Sequence, residues 1–553
     1  MKTQSSGSGI AATRLNRRSF LGLAGLGVAA VGVPSLLTSC SSGAPASVTG
    51  GGGTVSTGVL PTYTAVEYVK PDFPSVNGST AGFAKIPDTL VQAFSSPPGS
   101  GGTYTAMTPL WGTIPPSKGN QYYEAVNKAM GTSIKFQISD GNTYGDKLAA
   151  VLASEKDVPD WVTIPSWNIP PKFGQAVEAL FEDLGPYLSG DKVSKYKNLA
   201  NIPTDLWRLC VFNDKLYGLP FPAELQTNAI YYRKDILDDL GIDAQPKSAD
   251  ELLDLAKEIT APAKKQWAAE DLWTGATYMF AVPPKWKLDG DKLLNRVETD
   301  EYRAALEWLT KLYAAGVVHP DAVADKVEDS KQRFEAGQTL ICNDGVGAWA
   351  EALGRQLASN PDFQQQPFAP IAADGGTPRL FKADPTGMYS FLKKNEDKAK
   401  IEEMLAVADF LAAPFGTQEF QLINNGVEGV HFTLDKDNLP VPTDLAATEV
   451  QPTYIFLDSP AVVQSRVQYP GFVEAYCTWM ADAAQYVEEP LFFGMQITEP
   501  SQFSGIATPF DDLQKDIVRG RKTMADLDKA IETWKSSGGD ELRDFYQGIL
   551  DEQ

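Results

Sequence analysis

The residues able to do chemistry are unevenly supplied: 70 aspartates and glutamates, four cysteines and only two histidines, His319 and His431. Two histidines weigh against a His-based metal site and against most imidazole acid–base chemistry. Carboxylates are abundant enough that a glycosidase-type pair could exist somewhere, so hydrolysis stays open on counts alone. Nucleophile signatures are missing, since the chain has no G-x-S-x-G and no H-E-x-x-H. Ser189-Gly190-Asp191-Lys192 matches S-x-x-K but lacks the partner motifs. No P-loop is present, and Trp111-Gly112-Thr113-Ile114-Pro115 is no dinucleotide fingerprint, which argues against nucleotide chemistry. What remains is recognition. Indole faces stack on flat apolar surfaces, and short polar side chains supply paired donors and acceptors. Trp111 and Trp167 stand out because each has short polar neighbours and each falls where a strand reads as ending.

Those strands set the frame. Residues 104–111 read as a strand, 119–130 as a helix stopped by Gly131, 133–138 as an alternating strand, 143–154 as a helix and 161–164 as a third strand. Strand–helix–strand–helix–strand predicts a parallel sheet with right-handed crossovers. Ligands of such sheets bind beyond the carboxyl ends of the strands. Here those ends carry Trp111-Gly112, then Asp140-Gly141-Asn142, then Pro165-Ser166-Trp167-Asn168.

The N-terminus reads as an address and an anchor. Residues 1–39 hold four basic and no acidic residues, and Asn16-Arg17-Arg18-Ser19-Phe20-Leu21 resembles a twin-arginine export signal. An apolar stretch, rich in Gly and Ala and broken by Pro34, ends in Leu37-Thr38-Ser39-Cys40. That ending resembles a lipobox, in which the Cys40 thiol accepts a diacylglyceryl group after cleavage. Pro34 and the glycines argue against an uncleaved membrane helix. Gly, Ser, Thr and Pro dominate residues 40–102, which read as a flexible tether. The formal charge is −22, and nucleic acid is excluded as a partner because phosphate neutralisation needs clustered Lys and Arg. Beyond Cys40, three cysteines are left: Cys210, Cys342 and Cys477. One disulfide among them, or three buried thiols, both fit the sequence.

A longer pattern follows. Leu216-Tyr217-Gly218-Leu219-Pro220 leads into Asn228-Ala229-Ile230-Tyr231-Tyr232-Arg233-Lys234-Asp235, and Ser248-Ala249-Asp250-Glu251 forms a capping box. Phe334-Glu335-Ala336-Gly337, Ile423-Asn424-Asn425-Gly426-Val427-Glu428-Gly429-Val430-His431 and Arg519-Gly520-Arg521 to Trp534 continue it in order. Over about 103–551 the chain resembles extracellular solute-binding lipoproteins of ABC importers, in their large carbohydrate-binding subgroup. Asn425 departs from that pattern, where an aromatic is usual.

The resemblance implies a periplasmic-binding-protein-like α/β fold, with two lobes, a hinge and a ligand cleft between them. It places residues 103–226 and 344–387 in an N-terminal lobe, and 227–343 and 388–553 in a C-terminal lobe, with crossings near 227–232, 340–343 and 388–391. It implies a monomer that captures an oligosaccharide without catalysis, cofactor or metal, and delivers it to permease subunits. A surface-anchored glycosidase or lyase, and a peptide receptor on the same fold, are the alternatives. In the family's cleft positions stand Trp111, Asp140, Trp167 and Asn168 from the first lobe. Gln226, Asn228, Trp273 and Tyr278 follow from the crossing and second lobe, then Asp344 and Trp349 from the return. Trp161, Trp207, Trp308 and Trp534 read as packing residues, and Arg233 with Asp235 as a structural pair between lobes. His431 reads as a structural hydrogen-bond partner of Glu428, His319 as a surface turn residue, and 435–438 as a hairpin turn rather than a calcium loop.

Overall fold

The computed structural model describes residues 58–551 except 171–172, 327–328, 437–438, 498 and 504, so the signal segment and Cys40 lie outside the described residues. Two mixed sheets carry the fold. Their strands, in chain order, are β1 (Thr103–Leu110), β2 (Ser133–Asp140), β3 (Trp161–Pro165), β4 (Gly218–Pro222), β5 (Asn228–Arg233), β6 (Trp267–Ala269), β7 (Thr339–Gly345), β8 (Gln365–Pro367) and β9 (Thr386–Leu392). The first sheet runs β2-β1-β3-β9-β4 and the second β8-β5-β7-β6.

The predicted strand–helix alternation builds the first sheet. Helix α1 (Gln121–Met130) starts where the Asn120 side chain accepts the Tyr123 N–H, and stops at Gly131 with φ 71°. Its buried Tyr122, Val126 and Met130 pack on the sheet. Helix α2 (Tyr144–Leu152) makes the next crossover. β1 pairs in parallel with β2 from Thr103↔Ser133 to Leu110↔Asp140, and with β3 on its other side. β9 is antiparallel to both β3 and β4, so β1, β2, β3 and β4 all point one way.

Side-chain alternation along β5 explains the second sheet. Ile230 and Tyr232 enter one core, together with the helices Ala249–Ile259 and Asp300–Ala314 and the C-terminal helices. Ala229 and Tyr231 point the other way, into a core built with α4 (Gly347–Gln356) and α6 (Phe472–Ala483), counting α3 (Trp273–Met279) and α5 (Lys398–Leu411) between in chain order. The Arg333 guanidinium forks onto the Glu270 carboxylate at 2.7 and 2.7 Å, and Thr339 adds a hydroxyl donor at 3.2 Å. That satisfaction offsets the cost of burying the pair.

Which segment joins which lobe differs from expectation. β7, holding residues 340–343, stays in the second sheet, and β9, holding 388–391, belongs to the first. The residues between them, Val346, Trp349 and Phe368 among them, pack with the second sheet, whereas Ile401, Leu405, Ile423, Tyr454 and Leu457 pack with the first. The chain therefore crosses at 223–227, returns at 382–385 and leaves again after Leu457. A strand's own alternation says which residues are buried, but not which sheet's edge accepts its hydrogen bonds.

The expected tether also differs. From residue 58 the chain is laid along the body as a strap. Leu60 sits in the first core, Thr62 N–H donates to Gly190 O at 3.1 Å and Val66 N–H to Asn201 Oδ1 at 2.7 Å. Ala81 and Gly82 pair in parallel with Val463 and Gln464. A Cβ at Gly82 would stand 2.4 Å from Cys477 Sγ, so the close pass needs glycine. The Ala93 and Phe94 amides both donate to Glu419 at 3.0 Å. Composition undercounts such a segment because a few anchors (Leu60, Phe83, Phe94) and borrowed carboxylates suffice to hold it.

Glu403 on α5 closes the strap. It accepts the Ser100 and Gly102 amides at 2.8 and 2.9 Å, the Thr132 hydroxyl at 2.7 Å and the Tyr104 hydroxyl at 2.9 Å. Burial alone would raise its carboxyl. The hydrogen bonds from Thr132, Gly102 and Ser100 outweigh that and hold it at about 2, below the usual 4.5. A depressed carboxyl contributes stability above its unfolded value that is lost as pH falls toward the folded one. Glu403→Gln is expected to cost about 1 kcal/mol at pH 7, allowing for solvent screening. Melting curves should show a shallower loss of stability between pH 5 and 2 than in the parent chain, and an unchanged slope would refute the role.

Candidate solute-binding site

The four co-directed strands of the first sheet bring their carboxyl ends to one edge. Trp111 follows β1, Asp140 ends β2, Trp167 and Asn168 follow β3, and Phe221 nears the end of β4. The Trp111 and Trp167 rings lie 6.0 Å apart at 50°. Phe456 meets Trp111 edge-on at 6.1 Å and Phe221 at 5.8 Å, joining all four rings. Trp111 lies on Gly141, where a Cβ would come within 2.2 Å of the indole. The two indoles are 45% and 64% exposed, unusual for side chains that could bury so much apolar area, and they form a solvent-facing platform. Beside them the Asn168 Oδ1 is buried with no hydrogen-bond partner among the described residues. Asp140 is exposed and accepts the Asn142 N–H at 2.9 Å, shaping the turn beside the platform.

The second sheet presents a matching edge, where the end of β7 pairs with the start of β5 (Gly345↔Asn228). A cavity of about 580 Å³ opens there, lined among others by Asp271, Trp273, Lys331, Asn343, Asp344 and Asp511. Trp273 begins α3, its N–H held by Asp271 Oδ1 at 2.8 Å and its ring edge-on to Tyr302 at 5.4 Å. Asn343 Oδ1 accepts the Gly275 N–H at 3.1 Å. Asp344 accepts the Gly345 N–H at 2.8 Å and faces Lys331 Nζ at 3.5 Å. At the other end of α3, Asn228 and Tyr278 line a narrow pocket of about 40 Å³ and approach each other at 3.4 Å. Gln226 borders the same pocket, but is buried and donates to the Asn228 carbonyl at 3.1 Å, so its amide is occupied in shaping the crossing.

The ten expected residues thus fall into groups. Trp111, Asp140, Trp167 and Asn168 share the first edge, Trp273 and Asp344 the larger cavity, and Gln226, Asn228 and Tyr278 the narrow pocket. Trp349 is the correction. It is 2% exposed and packed among Tyr231, Phe472 and Tyr476, a core residue on the far face of the second sheet. It begins a helix after the β7 edge, and helical rotation turns its ring inward. Sequence reasoning missed Phe221, which the strand-end rule could have found, and Phe456, which arrives from a distant segment with no local signal.

The histidines are structural, with different partners from those expected. His431 Nδ1 accepts the Val427 N–H at 3.0 Å, and Nε2 faces Glu449, not Glu428, at 3.1 Å. His319 is buried rather than on the surface, caps the helix Pro320–Val323 and meets Trp267 edge-on; burial lowers its pKa. Arg233 pairs with Asp235 at 2.6 Å and also donates to the Phe334 and Glu335 carbonyls, so it ties the second lobe to itself. Residues 435 and 439 close a hairpin between Phe432–Leu434 and Pro440–Pro442. Cys210, Cys342 and Cys477 are free thiols, each pushed up by burial.

With this geometry in view, comparison decides the family. Residues 115–416 match the model for bacterial extracellular solute-binding proteins. The chain belongs to this family. Among curated relatives, it is 24% identical over 425 residues to the polygalacturonan/rhamnogalacturonan-binding protein YtcQ of Bacillus subtilis, covering 73% of this chain and 82% of that one. It is 24% identical over 493 residues to the lipoprotein LipO of the same organism, covering 81% and 92%. Among solved structures, an alginate-binding protein, AlgQ2, superposes with a TM-score of 0.60 at 15% identity, over 84% of this chain and all of that one. The N-glycan transport solute-binding protein NgtS of Streptococcus pneumoniae gives 0.59 at 16%, over 81% and 98%. The fold is accordingly periplasmic-binding-protein-like, with two α/β lobes.

Two tryptophans separate site from core. Trp111→Ala is expected to weaken solute binding by about 1 kcal/mol with little change in melting temperature. Trp349→Ala is expected to cost about 3–5 kcal/mol of folding stability while the folded fraction keeps its affinity. Titration calorimetry beside thermal melts distinguishes them, and reversed outcomes would exchange their roles.

Proposed function

We propose that this protein is a lipid-anchored receptor that captures an oligosaccharide outside the cytoplasm and delivers it to the permease of an ABC importer. The observation that carries the reading is the solvent-facing pair Trp111 and Trp167 at the carboxyl edge of the first sheet. Flat indole faces suit pyranose rings, and polar groups at both sheet edges suit ring hydroxyls. The names of YtcQ, AlgQ2 and NgtS, each tied to a carbohydrate, support the same class. Membership in an extracellular family agrees with a twin-arginine signal and with acylation at Cys40. Among the described residues no helix is long and apolar enough to cross a membrane. On this reading the acyl chain on Cys40 holds the body, a monomer, at the outer face of the cytoplasmic membrane. Delivery is stoichiometric and leaves the solute unchanged.

Incubation with oligosaccharides and peptides tests the reading. A receptor gains several degrees of melting temperature with one sugar class, by mass action, and returns it intact. Cleaved product would move the assignment to a glycosidase or lyase, and a shift with peptides alone would move it to a peptide receptor. Cys40→Ser is expected to release the exported protein from the membrane fraction; retention of that variant would refute the anchor.

A further inference from the structure

The two sheet edges share a chemical bias that narrows the solute. The larger cavity is lined by five carboxylates, Glu270, Asp271, Asp325, Asp344 and Asp511, against two lysines, Lys331 and Lys515. Both lysines face carboxylates already. Lys331 Nζ stands 3.5 Å from Asp344 and 3.8 Å from Glu351, and Lys515 Nζ is 3.6 Å from Asp325. Arg333 lies against Glu270 and Arg519 against Asp325, yet counting them with the lysines still leaves more carboxylates than cations. The amide oxygen of Asn343 is spent on the Gly275 N–H. At the first sheet's edge, the buried Asn168 Oδ1 is an acceptor lacking a donor. An ionised carboxylate accepts hydrogen bonds and donates none.

Resting on the carbohydrate reading above, we infer that the site selects an uncharged, hydroxyl-rich oligosaccharide and rejects uronic-acid oligomers. Vicinal hydroxyls give Asp271, Asp344 and Asp511 O–H donors, whereas Glu270 is already satisfied by Arg333 and Thr339, and Trp273 lies beside them. A uronate brings a carboxylate instead. It would repel Asp271, Asp344 and Asp511 at short range, and the charges of Lys331 and Lys515 that could offset this are already balanced by Asp344 and Asp325. This chain would then differ in solute charge from its relative named for polygalacturonan.

The test uses the full chain in detergent and matched pairs of sugars. Each pair is an oligouronate and its carboxyl-reduced counterpart of the same linkage and length, made from galacturonate, mannuronate and glucuronate oligomers and assayed by calorimetry. The neutral member of at least one pair is expected to bind about tenfold or more tightly than its acidic partner, the order one uncompensated charge supplies at such distances. The double variant Asp344→Asn, Asp511→Asn is expected to shrink that ratio several-fold. Equal or tighter binding of the acidic member would overturn this inference and leave the carbohydrate reading standing. A ratio unmoved in the double variant would overturn the assignment of selectivity to this cavity. No binding by either member of any pair, together with tight binding of a peptide, would remove both.

Discussion

Two backbone hydrogen bonds set the frame for everything else: Ala223 N–H to the Pro385 carbonyl and Ala383 N–H to the Leu225 carbonyl, both 3.1 Å. They hold the outgoing crossing beside the returning one, so the sheets are joined by a paired ribbon rather than by independent loops. A ribbon of two short segments bends at few dihedrals and resists shear, the mechanical character of a hinge. Because β4 leaves the first sheet into that ribbon and β5 begins the second directly from it, the carboxyl edge of one sheet and the Asn228–Gly345 edge of the other are both tied to the same place.

The chemistry at those edges follows from what a strand end can offer. Backbone pairing stops, side chains no longer alternate into a core, and large rings can stay exposed without disrupting packing. Trp111 is held flat by the missing Cβ of Gly141 and braced by Phe456, so its face is preorganised rather than free. Preorganisation reduces the ordering cost on binding, which lets a modest stacking energy count. The strap adds a second constraint. It starts in the first core, pairs with Val463–Gln464 near the second lobe, and returns to Glu419 and Glu403 on the first. Besides the crossings, therefore, a length of chain preceding the first sheet also links the lobes.

Much of this was legible in residue order. The opening strand–helix alternation, the Ser248 helix cap, the packing role of Trp161, Trp207, Trp308 and Trp534, and the placing of Trp111 and Trp167 at strand ends all rest on local sequence pattern, and the structure agrees with each. Trp349 failed because a helix phase, not a strand end, governs it. The lobe membership of 344–457 failed because β7 and β9 have similar apolar alternation, and only long-range pairing tells them apart. The strap escaped notice because its Gly, Ser and Pro content masks a few well-spaced apolar anchors.

From the sequence alone came the α/β class and the family pattern, and the proposal of an export signal and of acylation at Cys40 rests on it too, since each depends on neighbours within a few dozen residues. The tertiary structure alone decided that Phe456 would brace Trp111, that Trp349 would be buried, and that carboxylates from four separate segments would crowd one cavity around Trp273. Burial and electrostatic surroundings are set by which distant segments meet, and a linear pattern carries no term for that.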